Sequence, residues 1–72
     1  MTDCEAEKAF REMLPCKTTR ADIHTGEIRE LGIPSGILIE RHESQMTKVF
    51  LIFPNGGKGI VRYQAEMLKL AE

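Results

Sequence analysis

Apolar positions in this chain follow a helical period at one end and a strand period in the middle. Ala6, Ala9, Phe10, Met13 and Leu14 form one stripe at helical spacing. Thr2-Asp3-Cys4-Glu5 precedes the stripe and reads as a capping box. Thr2 accepts from the Glu5 backbone N–H, and the Glu5 side chain reaches back to Thr2. Pro15 disfavours helical geometry in the residue before it, so the pattern predicts an amphipathic helix ending near Leu14. Glu7 and Arg11 lie four apart in the favourable order on its wet side.

Three later runs, Gly36–Arg41, Lys48–Phe53 and Gly59–Tyr63, are rich in Val, Ile, Phe and Tyr and predict strands. Pro54-Asn55-Gly56-Gly57-Lys58 joins the last two, and its Asn-Gly step supplies the positive φ of a tight hairpin. Glu43-Ser44-Gln45 reads as the polar turn between the first two. Upstream, Pro15–Thr19 reads as a connector, Arg20–Ile23 as a short strand, Thr25-Gly26 as a turn and Glu27–Leu31 as a second extended piece. Gly32-Ile33-Pro34-Ser35-Gly36 is a loop. After Tyr63, the segment 64–70 reads as one helical turn and a short closing strand.

The middle strand departs from simple alternation. Val49, Leu51 and Phe53 share one face, Phe50 and Ile52 the other, and every one of them is apolar. A strand with one wet face alternates apolar with polar, so this pattern predicts cover on both sides. The N-terminal stripe is the expected lid, placed over Phe50 and Ile52; a second subunit is the competing cover. Left bare, those two residues would form a sticky patch.

The chain has 72 residues and a formal net charge of −1. That length makes one small domain, with the helix and connector over 1–16 and a β unit over 17–72. At 8.2 kDa, area scaling gives ~4,500 Å² folded against ~11,900 Å² extended, a marginal core. Small domains often add a partner subunit, a metal or disulfides. Cys4 and Cys16 are the only cysteines and do not make a disulfide framework. No secretory signal precedes them, and no apolar run is long enough to span a bilayer, so the expected place is the cytoplasm. Mixed signs along the chain argue against binding nucleic acid by bulk charge.

From Gly26 to Leu70 the chain resembles an SH3-like small barrel of the Tudor or KOW kind. The resemblance is carried by Gly26-Glu27-Ile28-Arg29-Glu30-Leu31, Gly36-Ile37-Leu38-Ile39, the run from Lys48 through Gly57, the strand ending near Tyr63, and Glu66-Met67-Leu68-Lys69-Leu70. It implies a mainly β, α+β domain with the helix as an addition, and a binding role without a named ligand.

Candidate chemistry is sparse. Gly56-Gly57-Lys58-Gly59 lacks the Ser/Thr after lysine and the following helix of a phosphate loop, so it reads as a turn. Cys4, Cys16, His24 and His42 lack the close pairing of zinc ligands, and neither a metal nor a cofactor is expected. Cys16, beside Lys17, reads as a partly buried thiol. His24 beside Thr25 and His42 near Ser44 make poor nucleophile–base pairs, and Asp22, Glu40 and Glu43 have no evident dry cleft, so no catalysis is expected. Lys17, Arg20, Arg41, Lys48, Lys58 and Arg62, with Tyr63 as a stacking ring, are the candidates for single-stranded RNA or DNA. Phe50 and Ile52 are the candidates for an apolar contact with a protein. The expectation is a non-enzymatic accessory module, of a size common in bacteria and mobile elements, that binds another protein and pairs with itself. The alternative is an RNA- or DNA-binding regulator.

Overall fold

The computed structural model describes residues 1–21, 25–41 and 46–71. It contains an N-terminal helix, α1 (Asp3–Arg11), and two three-stranded antiparallel sheets, so the domain is α+β and mostly β. The capping box forms as read. The Glu5 backbone N–H donates to Thr2 Oγ1 at 3.1 Å, and the Thr2 N–H donates to Glu5 Oε1 at 2.9 Å.

The helix ends one turn before Leu14, and the reason is local. Met13 adopts a left-handed φ of 57°. The Leu14 N–H then donates to the Ala9 carbonyl at 2.9 Å and the Met13 N–H to Phe10 at 3.4 Å. This is a Schellman closure with methionine where glycine is usual. It divides the predicted stripe: Ala6 and Ala9 are fully buried, Phe10 and Leu14 pack at the core margin, and Met13 turns out to solvent.

The larger sheet has the order β3-β4-β5, where β3 is Gly36–Arg41, β4 is Thr47–Pro54 and β5 is Ile60–Gln64. These three runs match the predicted strands within a residue or two. Leu38 pairs with Phe50, and Ile52 with both Gly36 and Arg62. The β4–β5 connection is a 3₁₀ turn, Gly56–Lys58, with positive φ at Gly56 and at Gly59. The Asn55 N–H donates to the Gly59 carbonyl and closes it at 2.9 Å.

The smaller sheet has the order β2-β1-β6, with β1 at Cys16–Thr18, β2 at Glu30–Gly32 and β6 at Leu68–Leu70. Strand β1 replaces the expected connector. Its alternation buries Cys16 and Thr18 and turns Lys17 away from the core. The expected strand over 27–31 shortens to β2. Of the strand expected over Arg20–Ile23, Arg20 lies in a bend and Ala21 in no strand, and residues 22 and 23 lie outside the described residues. The polar turn at 43–45 lies outside them as well. The helical turn and closing strand near the C-terminal end appear as a 3₁₀ turn, Ala65–Met67, leading into β6.

The core lies between the two sheets and beneath the helix. Val49, Leu51 and Phe53 of β4 meet Ala6, Ala9, Cys16, Ala65 and Leu68. The two helical alanines are 0% exposed and belong to the same core cluster as the inner face of β4. The Met1 amino nitrogen donates to the carbonyls of Ala65 (2.9 Å) and Leu68 (2.6 Å) and pins the helix start to the 3₁₀ turn. The helix therefore covers the Val49/Leu51/Phe53 face. The expectation that it lies over Phe50 and Ile52 is wrong, since neither belongs to the core nor packs against it.

Candidate functional site

Two surfaces gather the residues singled out from the sequence. The first is the outer face of the larger sheet. Strand alternation sends Leu38 and Glu40 of β3, Lys48, Phe50 and Ile52 of β4, and Ile60 and Arg62 of β5 to the side opposite the core. Leu38, Phe50 and Ile52 are half-buried by one another, and Ile60 is 68% exposed. A groove of 360 Å³ runs between Leu38, Ile52, Ile60 and Arg62.

Among the described residues, the Arg62 side chain adds partial cover to this face. The Arg62 guanidinium carbon lies 5.2 Å from the centroid of the Phe50 ring. Its Nη1 donates to Glu40 Oε1 at 3.2 Å across the intervening strand. An exposed cation–π contact contributes ~0.5–1 kcal/mol, and an exposed ion pair ~0–1 kcal/mol. The strap is therefore weak and easily displaced. Gly36 leaves the strip above Ile52 without a side chain of its own; a Cβ there would meet Ile52 Cδ1 at 3.4 Å.

The second surface is a cleft of 190 Å³ lined by Thr18, Arg20, Arg29, Tyr63 and Met67, among others. Thr18 organises it. Its hydroxyl accepts from the Arg29 backbone N–H at 3.1 Å and donates to the Arg20 carbonyl at 3.1 Å. The Arg29 guanidinium donates to the Tyr63 hydroxyl (3.3 Å) and to Asn55 Oδ1 (3.4 Å). Tyr63 packs edge-on against Phe53, with ring centroids 6.3 Å apart, which holds its ring upright at the cleft wall.

The nine predicted binding residues thus divide. Lys48, Phe50, Ile52 and Arg62 share the outer face. Arg20 and Tyr63 share the cleft. Lys17 sits on β1, Arg41 at the exposed end of β3, and Lys58 in the exposed 3₁₀ turn, remote from one another in the fold. They do not form one basic surface. Sequence reasoning missed Leu38 and Ile60 on the outer face and Arg29 in the cleft. The period-two placement of Leu38 and Glu40, combined with the hairpin register, carried the signal for the outer face.

The cysteines occupy different environments. Cys4 is exposed on α1, whereas Cys16 is fully buried. Burial pushes the Cys16 thiol above its ordinary value, against a smaller opposing pull from the N-terminal ammonium. This is a core residue with an unreactive thiol. His24, His42, Asp22, Glu43 and Ser44 lie outside the described residues. Among those described, no three His, Cys, Asp or Glu side chains converge as metal ligands. No helix among them is long and apolar enough to cross a membrane. Comparison with protein families, with curated proteins and with solved structures finds no match.

Proposed function

We propose that this chain is a non-enzymatic interaction module of the cytoplasm that binds another protein through the outer face of β3-β4-β5. The observation that carries the reading is the row Leu38, Phe50, Ile52 and Ile60 on a sheet face that neither the core nor the helix occupies. Its edges carry Glu40, Lys48 and Arg62. An apolar centre with a charged rim is the usual anatomy of a protein-binding patch. The reading takes the frame as an SH3-like small barrel. Two features support that: the short loop from β2 into β3 that links the sheets, and the 3₁₀ turn that leads from β5 into β6.

The competing reading is single-stranded nucleic acid in the cleft. Arg20 and Arg29 beside Tyr63 favour it. A pull-down from host extract with the Ile60→Asp variant as control separates the two. Ile60 is largely exposed, so this change leaves the fold intact. Protein docking on the outer face predicts capture that survives nuclease and high salt and is lost in Ile60→Asp. Capture abolished by nuclease, weakened steeply by salt and lost in Arg29→Glu moves the function to the cleft. Capture unchanged in Ile60→Asp refutes the outer face.

A further inference from the structure

We infer that the open edge of β3 takes up an extended segment of a partner protein as an additional strand, with apolar residues beside Leu38 and Ile39 and a carboxylate beside Arg41. The inference rests on the proposed reading of the chain as a protein-docking module. It adds the edge that adjoins the outer face, and Leu38 belongs to both.

The first argument is the backbone. Strand β3 ends the order β3-β4-β5, so it is paired on one side. Its six residues run along β4 from the Gly36–Ile52 pair to the Arg41–Thr47 pair without a register shift. In such a ladder every second residue directs its N–H and C=O away from the neighbouring strand. Among the described residues, no further backbone hydrogen bond reaches residues 36–39. The outward donors and acceptors are spaced as another extended chain presents its own.

The second argument is the lack of edge protection. Sheet edges are blunted by short length, proline, charge or a bulge. Strands β2 and β6, which edge the smaller sheet, are three residues long, and the β1–β2 pairing shifts register. At the other edge of the larger sheet, the Arg29 side chain reaches Tyr63 of β5 at 3.3 Å. The first four residues of β3, Gly36-Ile37-Leu38-Ile39, carry neither charge nor proline.

The third argument is the side chains. Ile39 shares the inner face with Val49, its partner across the ladder. Val49 is 4% exposed and Ile39 is 49% exposed, so the core stops short at this edge. An apolar side chain on an added strand would extend that row. On the outer face Leu38 borders the same edge and is half-buried. An occupant that meets both must be apolar at two successive positions. Arg41 lies two residues beyond Ile39, on the same face, and is exposed with no ion-pair partner among the described residues. It offers a cation to an acidic residue two positions from the one beside Ile39.

Short random peptides displayed on phage, selected against the intact chain, test this. Enriched sequences should pair two successive apolar residues with Asp or Glu at the stated spacing, and Arg41→Glu should select Lys or Arg there instead. N-methylation of a synthetic selected peptide should weaken binding about tenfold or more at alternate residues and leave the intervening ones unaffected, which reads the backbone ladder without altering the protein. Ile39→Lys, which sets a charge on the edge, should weaken binding by a similar factor, with a circular dichroism melt to verify its fold. The absence of any enriched peptide overturns the inference, as does binding indifferent to both N-methylation and Ile39→Lys. Peptides lost in Ile60→Asp but indifferent to N-methylation overturn the edge and leave docking on the outer face standing. A chain that dimerises on its own in light scattering, and is dispersed by Ile39→Lys, gives the edge to a second copy and overturns the foreign segment. Peptide binding indifferent to Ile39→Lys together with capture indifferent to Ile60→Asp overturns the inference and the outer-face reading at once.

Discussion

Two alanine substitutions, at Gly32 and at Gly36, should move stability in opposite directions. Gly36 lies in β3 with ordinary strand dihedrals, and a Cβ built on it meets Ile52 at 3.4 and 3.6 Å, ordinary van der Waals contact. Alanine narrows the unfolded ensemble there, worth ~0.4–1 kcal/mol. A half-buried methyl against Ile52 adds roughly 0.4 kcal/mol. Gly36→Ala should therefore stabilise by about 1 kcal/mol, which for a domain of this size raises Tm by roughly 4–8 °C. Gly32 has open space around its Cβ position but a φ of +78°. A side chain in that region costs ~1–2 kcal/mol, only partly offset by the same entropic gain. Gly32→Ala should lose about 1 kcal/mol net. Thermal and urea melts at one low protein concentration read both changes. If the two variants shift the same way, or Gly36→Ala destabilises by more than about 0.5 kcal/mol, Ile52 cannot yield and the assigned backbone geometry of β2 and β3 is wrong.

Two further predictions concern polar contacts. Thr18→Val keeps the side-chain shape but strands the Arg29 N–H and the Arg20 carbonyl that its hydroxyl partners; it should cost ~1–3 kcal/mol in a urea melt, whereas Thr18→Ser should cost less. Glu5 is held below its ordinary pKa first by the Thr2 backbone N–H and then by the Thr2 side chain. The folded form therefore binds its proton less readily than the unfolded chain, so the contribution is complete above the unfolded value and fades as pH falls through the folded one. Acid titration of helix content should show Glu5→Gln flattening that loss, and an unchanged slope would mean the box is not formed in solution.

The strands of the larger sheet were legible because bulky β-branched and aromatic residues cluster there between turn residues. The capping box was legible because it is a local contact. Strand β1 was not. Cys-Lys-Thr after a proline carries little strand propensity, and it becomes a strand by hydrogen bonding to β2 and β6, which are distant in sequence. The end of the helix was misplaced by one turn for a similar reason. Leu14 is drawn back to Ala9 by a reversal at Met13, a residue that ordinarily avoids that conformation. The all-apolar middle strand signalled a burial demand on both faces; among the described residues one face is fully buried and the other only half-buried. Of the candidate site, Lys48, Phe50, Ile52 and Arg62 were found. Leu38 and Ile60 were missed because their membership depends on register rather than on residue type.

The pairing of β1 with β6 sets Cys16 against Leu70 and Thr18 against Leu68. Those partners are roughly fifty residues apart along the chain, so closing that loop precedes any reward from their hydrogen bonds. The β3-β4-β5 meander needs only neighbouring segments. Assembly is thus expected to begin with the meander and finish with the small sheet, and in the interval the inner face of β4 stands as open to foreign contacts as the outer one. A chaperone or a second nascent chain would meet the molecule at that stage with two apolar surfaces, and the docking of α1 together with the pairing of β1 and β6 removes one of them.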